Sequence, residues 1–276
     1  MQRRILIIDD HNDLAEALQE VFSHVGHFVQ VVEDRSKALA IGNIESFDLV
    51  ISDLDVENLA PLGGLDALTP VCLPSTPDHH AGERFKAFKI CAVNFRRDEF
   101  DEDELKGMIA TILDYKIRFV DKPDVVQDLH EVIEFELPSV ISLMYIVLEY
   151  LLKRVEKLGV VKSEQSNLFV ALDEAFVNAV KHGNKFDVAK LIRVSADVTN
   201  KEARFTIEDE GEGFDVNAIP NPLDPENLFK TSGRGVLFIY NIMDEVKYND
   251  RGNRLTMVKK SENRKDAETP SGNLAG

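Results

Sequence analysis

Tryptophan is absent from this 276-residue chain, and cysteine occurs twice. Two thiols allow at most one disulfide or one metal pair and cannot complete a four-cysteine zinc site. Cys72 and Cys91 each sit inside a short apolar run and read as small core residues. Positive charge is scarce too: 32 Lys/Arg stand against 49 Asp/Glu, a net charge of −17. Both halves share the deficit, with 12 against 22 over residues 1–118 and 20 against 27 over residues 119–276. Such a balance repels phosphate backbones and anionic headgroups, so nucleic acid and membrane surfaces are not expected partners. A basic protein surface is. Long hydrophobic runs are also missing. The most apolar helix candidate, Val140–Leu152, is too short to span a bilayer and contains Glu149. The opening run Ile5–Ile8 stops at Asp9 and Asp10, unlike a signal peptide. A cytoplasmic location is expected.

What is present suits two globular domains: 44% hydrophobic residues and 29% charged ones over a length that is long for one core. The expected division is 1–118, a connector over 119–130, 131–262, and a polar, disordered tail over 263–276. In the first part RILIIDD, FVQVVED and FDLVISD read as strands, with DLAEALQEVFSHVG and SKALAIGNI as helices between them. This alternation predicts a parallel α/β sheet, whose ligands bind at the carboxyl ends of the strands. Asp9, Asp10 and Asp53 fall on that edge. Carboxylates at close range oppose joint ionisation, and a hard cation such as Mg²⁺ would relieve them.

This first half resembles the receiver domains of two-component signalling. The resemblance implies a doubly wound parallel sheet, Asp53 as phosphoacceptor, and Asp9 and Asp10 holding Mg²⁺ with help from the carbonyl of Asp55. It also implies Ser75, on a fourth strand VCLPS, as a phosphoryl partner, and an upstream histidine kinase or phosphotransfer protein as donor. The chain departs from the pattern at two places. Met-Pro and Asp-Gly do not follow Asp53, and the lysine expected after the fifth strand is replaced by Arg96 or Arg97 in ICAVNFRRDEF. Two readings stay open, a working acidic site and a degenerate receiver kept for dimerisation or docking. EFDEDEL reads as the solvated, acidic start of the last helix.

In the second part EVIEFELPS reads as a half-buried strand and SVISLMYIVLEYLLKRVEKLG as a long helix. That helix is apolar around most of its circumference, so it has more to bury than one sheet face. A second contact, with the first half or a twin subunit, is expected. His130 reads as incidental. Three boxes follow. LDEAFVNAVKHGN places Glu174, Asn178 and His182 four residues apart, on one helix face. IEDEGEGF ends a strand on Asp209, with Gly211 and Gly213 letting the backbone turn close to a ligand. TSGRGVLFI sets Gly233 and Gly235 at a helix N-terminus suited to phosphates, while Arg234 either adds charge there or points to water. Thr256, on the last strand, is a candidate wall residue for a base.

In order and spacing, these boxes resemble the GHKL (Bergerat-fold) ATPases, which implies an α/β-sandwich domain binding ATP and Mg²⁺. By that resemblance Asn178 ligates Mg²⁺, Glu174 is the catalytic base, His182 and Asn184 support the phosphates, and Asp209 takes the adenine amino group. The short lid between the glycine boxes, Asp215–Lys230, brings residues 133–260 nearest the anti-sigma-factor serine/threonine kinases. That likeness implies a STAS-domain anti-anti-sigma protein as substrate, a sigma factor as partner, and a homodimer. Two alternatives remain, an ATP-dependent sequestering switch with little kinase activity and a histidine-kinase-like enzyme.

Overall fold

The computed structural model describes residues 1–55, 73–74, 84–96, 100–121, 129–161, 167–216 and 234–261. Ser75, Cys72, Arg97, Gly233, the side chain of Arg234, most of the lid and the tail lie outside the described residues.

The first half begins β1 (Arg4–Asp9), α1 (Ala15–His24), β2 (Phe28–Val32), α2 (Arg35–Ala40) and β3 (Leu49–Asp55). Both β2 and β3 pair with β1 in parallel, as the alternating pattern predicts. The next strand departs from it. β4 (Arg84–Cys91) runs antiparallel to β3, so the expected doubly wound, all-parallel sheet is corrected at this edge. Leu73 and Pro74, within the predicted fourth strand, are not in a strand. Cys91 is buried as expected but is disulfide-bonded rather than a free thiol. α3 (Glu102–Tyr115) opens on an Asp101 cap that accepts from the Glu104 amide, with three acids in its first turn. These favour the positive end of the helix dipole. A π-helical turn, Lys116–Val120, extends it.

β5 (Leu129–Pro138) then pairs in parallel with β4 on one side and antiparallel with β6 (Leu191–Val198) on the other. The predicted connector over 119–130 is therefore shorter than expected, with helical backbone to Val120 and strand from Leu129. β7 (Glu202–Asp209), β8 (Glu245–Tyr248) and β9 (Arg254–Lys260) complete one nine-stranded sheet, ordered β2-β1-β3-β4-β5-β6-β7-β9-β8. The two expected domains share it. α4 (Ile141–Lys157), α5 (Leu168–Asn178) and α6 (Arg234–Ile242) belong to the second half. A single buried cluster runs from Ile5 and Leu18, through Leu105 and Ile112 of α3 and Leu143 and Leu151 of α4, to Phe205 and Met257. Leu6, Ile8, Ala38, Val50 and Ala87 form a smaller cluster on the opposite face of the first half. The second contact expected of the apolar helix α4 is thus α3, within this chain.

Asp9, Asp10 and Asp53 do not form a metal site here, and among the described residues no group of His, Cys, Asp or Glu does. The physical reason is that each carboxylate is already used. Asp9 accepts from the backbone amides of His11, Asn12, Leu14 and Ala15 at 2.7–3.1 Å, which ties down the entry to α1. Asp10 accepts from the Asp55 amide at 2.9 Å. Asp53 is turned inward, its oxygens 3.0 and 2.8 Å from the Lys116 ammonium. Its side chain is 9% exposed, so the expected phosphoacceptor is engaged rather than presented. The cation in contact with Asp53 is Lys116.

Lys116 also meets Asp121 at 3.0 Å and lies over the Phe88 ring. Asp121 accepts from the Tyr150 hydroxyl at 3.2 Å and stands 3.6 Å from Arg154. Arg154 grips Glu131 through two bonds of 2.9 and 2.7 Å. Fully ionised, this buried chain of three carboxylates and two cations carries one surplus negative charge. Asp53 is where it falls: burial pushes its carboxyl up to about 7 despite Lys116. Against the cost of burial, Lys116 and Arg154 hold the Asp121 carboxyl below its usual range. Lys116, although burial opposes its charge, is held above its usual range by Asp121 and Asp53.

Because the folded Asp53 binds its proton more tightly than the unfolded chain does, its contribution is complete below pH ~4. It is lost as pH rises toward 7. Asp53→Asn should therefore flatten the pH dependence of stability across that window. Lys116→Met, which strands two buried carboxylates, should cost about 3–5 kcal/mol. Urea denaturation between pH 4 and 8 measures both, and a Lys116→Met protein as stable as the parent would show that the chain is not structural.

Candidate active site

The sheet, α5 and α6 enclose a cavity of about 530 Å³. α5 buries Leu168, Ala171, Leu172, Ala175 and Phe176 and leaves Glu174 and Asn178 half-buried toward the cavity. A π-helical turn, Ala179–Gly183, follows and carries the exposed His182 to the same cavity. The predicted stripe of Glu174, Asn178 and His182 is therefore brought together. Asn178 donates its amide to Glu174 at 3.1 Å, and among the described residues its amide oxygen, a suitable hard ligand, has no partner.

Asp209, at the end of β7, lines the same cavity. Its carboxylate accepts from the Gly211 amide at 2.8 Å. Burial raises its pKa above the usual carboxylate range, although the Gly211 amide and Arg251 favour the ionised form. A side chain on Gly183 would collide with this carboxylate, so the end of the π turn has to be glycine for Asp209 to take its place. Gly211, expected to approach a ligand, instead packs against the Gly183 carbonyl and stands behind the cavity wall. Gly213 does line the cavity. Its φ of +77° and its contact with the Arg251 carbonyl leave no room for a Cβ. Gly235, in the first turn of α6, packs directly on the Glu174 carboxylate.

Thr256 is a correction. Side chains alternate across a strand, and Thr256 is paired with Thr206 on the opposite face, their hydroxyls 3.3 Å apart. Its neighbour Leu255, paired with Ile207, provides the apolar wall. Other residues were not anticipated. The Asn253 carbonyl accepts from the Asp209 backbone amide at 3.0 Å, and its side-chain amide donates to the Asp209 carbonyl at 2.7 Å. Arg251 donates to the Gly211 carbonyl at 2.8 Å. Asn184, expected near phosphates, is fully buried and instead joins the Leu191 carbonyl to the Glu210 amide.

Comparison with known proteins falls on this half of the molecule. Residues 144–259 match the family described as "Histidine kinase-like ATPase domain". Through this domain the chain belongs to the histidine kinase-like ATPase family. Its relatives include the serine-protein kinase RsbW of Staphylococcus epidermidis, 28% identical over 144 residues that cover 48% of this chain and 89% of that protein. The anti-sigma F factor of Clostridium perfringens is 30% identical over 104 residues, 35% of this chain and 73% of that protein. Each alignment covers less than half of this chain. Among the described residues no helix is long and apolar enough to cross a membrane.

The bracing around Gly213 makes a direct prediction. Gly213→Ala forces a Cβ into a positive φ and into the hairpin carbonyl, and should cost about 1 kcal/mol or more. It should also expose the Phe214 amide, which donates to Arg251 at 3.1 Å. Chemical denaturation and amide exchange report these effects. Unchanged stability with a protected Phe214 amide would count against the contact.

Proposed function

We propose that this protein is an ATP- and Mg²⁺-dependent serine/threonine protein kinase of the anti-sigma type, acting in the cytoplasm as a homodimer. Its substrate would be a STAS-domain anti-anti-sigma protein, and it would also hold a sigma factor. The observation that carries this reading is the convergence of Glu174, Asn178 and Asp209 on one cavity, each set by a contact that allows little else. Similarity to RsbW and anti-sigma F proteins supports the choice of reaction and partners.

The residues present fit the nucleotide. The cavity volume lies in the ordinary range for small-molecule sites. A buried acceptor-only carboxylate, Asp209, suits the amino group of adenine, and Ile207 and Leu255 give the base an apolar wall. The free amide oxygen of Asn178 would hold Mg²⁺, which when bound neutralises charge on the transferred phosphoryl group. Glu174 would orient the substrate hydroxyl and take its proton as oxygen attacks. His182 and the α6 N-terminus, with Gly233, Arg234 and Gly235, would attend the phosphates. The first half would regulate this output through the ion chain that joins Asp53 to α4, rather than through a presented phosphoacceptor fed by an upstream kinase. A histidine-kinase mechanism is disfavoured by His130, which lies in β5 bonded to Asp197 at 2.8 Å.

Incubation with labelled ATP and STAS proteins should yield acid-stable phosphoserine or phosphothreonine. Glu174→Ala should lower transfer about 10²–10⁴-fold while leaving ATP affinity within a few-fold. Absence of transfer by the parent to any STAS protein of its genome would favour sequestration without catalysis. Asp209→Asn should weaken ATP binding by about 1.5–3 kcal/mol. Since the amino group needs an ionised acceptor, the parent's affinity should fall as pH is lowered toward the raised Asp209 pKa, while Asp209→Asn stays flat. Equal pH profiles by calorimetry would remove Asp209 from the site.

A further inference from the structure

One free edge of the sheet falls on β2. Among the described residues this strand, FVQVV, stands first in the nine-stranded order and pairs with β1 alone. Sheet edges are commonly blunted by a lysine, a proline or a bulge, and β2 has no charged residue and no proline. Its surroundings are apolar as well. Phe28 is exposed, and so are Val21 and Val25 beside α1, the helix packed on β2. An uncovered edge of this composition is a template for another strand.

Backbone and side chains point to the same register. The Phe28 amide donates to the Arg3 carbonyl at 2.8 Å, so Phe28, Gln30 and Val32 turn their backbone groups toward β1. These groups alternate along a strand, and those of Val29 and Val31 point outward. An antiparallel partner exchanges its bonds at such positions. With a two-fold axis at Gln30, Val29 meets the partner's Val31, Phe28 meets the partner's Val32, and Gln30 meets the partner's Gln30. Every apolar residue then faces an apolar one. Val29 and Val31 already pack against the large buried cluster and Val32 against the smaller one, so the pairing extends both cores.

The residues flanking β2 match in chemistry. His27 accepts from the Arg3 amide on Nδ1 at 3.2 Å, which leaves its Nε2–H as a donor. The same axis sets His27 against the partner's Glu33, an exposed acceptor. Moving the axis to Val29 sets His27 against the partner's Val31, and moving it to Val31 sets Val29 against the partner's Glu33. Only the axis at Gln30 matches all the pairs. We propose that β2 pairs antiparallel with β2 of a second copy about a two-fold axis at Gln30, joining two nine-stranded sheets into one. Such an interface is isologous, the same patch serving both copies. This rests on the homodimer reading above and adds its interface, in the half of the chain outside the matched family domain.

The test is sedimentation equilibrium of the full chain across the micromolar range, where the parent should dimerise. Gln30→Lys and Gln30→Glu each set like charges directly opposite one another and should weaken the dimer about five-fold or more. An equimolar mixture of the two should restore it, because the facing charges are then opposite. Val29→Pro removes an outward amide that β1 does not use. Edge strands accept such a proline, and dimerisation should weaken about ten-fold or more. Circular dichroism checks that the variants are folded, and the charge pair decides alone if Val29→Pro is not. A parent dimer that Gln30→Lys and Gln30→Glu leave unchanged overturns the β2 interface while the homodimer reading stands. Weakened single variants that their mixture does not restore overturn the axis at Gln30. A parent that stays monomeric overturns both the interface and the homodimer, and leaves the edge to a strand of another protein.

Discussion

The ammonium of Lys116 is the interaction on which the rest of the molecule turns. It is fully buried, and a buried cation is tolerable only when its charge and its donors are matched. The matching groups come from β3 (Asp53) and from the segment after α3 (Asp121). Through Asp121 they extend to α4 (Tyr150, Arg154) and β5 (Glu131). Every one of these elements must reach its place before the charges are neutralised. A hydrophobic core accepts many nearby packings, whereas such a chain is satisfied by few. The same constraint joins the halves: β3 belongs to the first, α4 and β5 to the second, and the π turn delivers the lysine between them.

That constraint also explains what was legible in the sequence and what was not. Short-range patterns were. The apolar runs closed by aspartates became β1 and β3, the Asp101 cap and its acids opened α3, and the stripe Glu174, Asn178, His182 reached one cavity. Pairing between distant segments was not. Nothing local in RFKAFKICA says that it will run antiparallel to β3 while continuing in parallel into β5. A lysine at the end of a helix reads as an ordinary exposed charge until the π turn and the sheet carry it inward. The three aspartates misled for a related reason. Their spacing matched a metal edge, but backbone amides and Lys116 satisfy carboxylates as well as a metal ion does, and spacing does not distinguish these partners. Thr256 was different, because alternation with Leu255 already assigns it to the far face.

At the cavity the bracing is done by backbone rather than by side chains. Gly183 lets the Asp209 carboxylate in, Gly213 lets the hairpin carbonyl in, and Gly235 lets α6 rest on Glu174. Glycine motifs in nucleotide-binding chains are commonly read as room made for the ligand. Here Gly211 and Gly213 make room for the protein itself. The result is a polar constellation whose members are fixed by contacts that a single methyl group would break. Preorganisation of this kind favours a site whose work is positioning charge, as phosphoryl transfer requires.

These two features meet in α4. On one side it carries Tyr150 and Arg154 into the ion chain; on the other it packs against α5, which holds Glu174 and Asn178. A change of charge at Asp53 alters the balance that Arg154 and Tyr150 complete. Because interiors are close-packed and transmit displacement rather than absorb it, a shift of α4 is passed to α5. Glu174 has no slack to accommodate such a shift, since Gly235 of α6 lies directly against its carboxylate. If Glu174 acts as proposed, the tight fit around it would also make its geometry sensitive to the state of a carboxylate on the far side of α4. The nine-stranded sheet, continuous through β4 and β5, supplies the fixed floor against which that movement is registered.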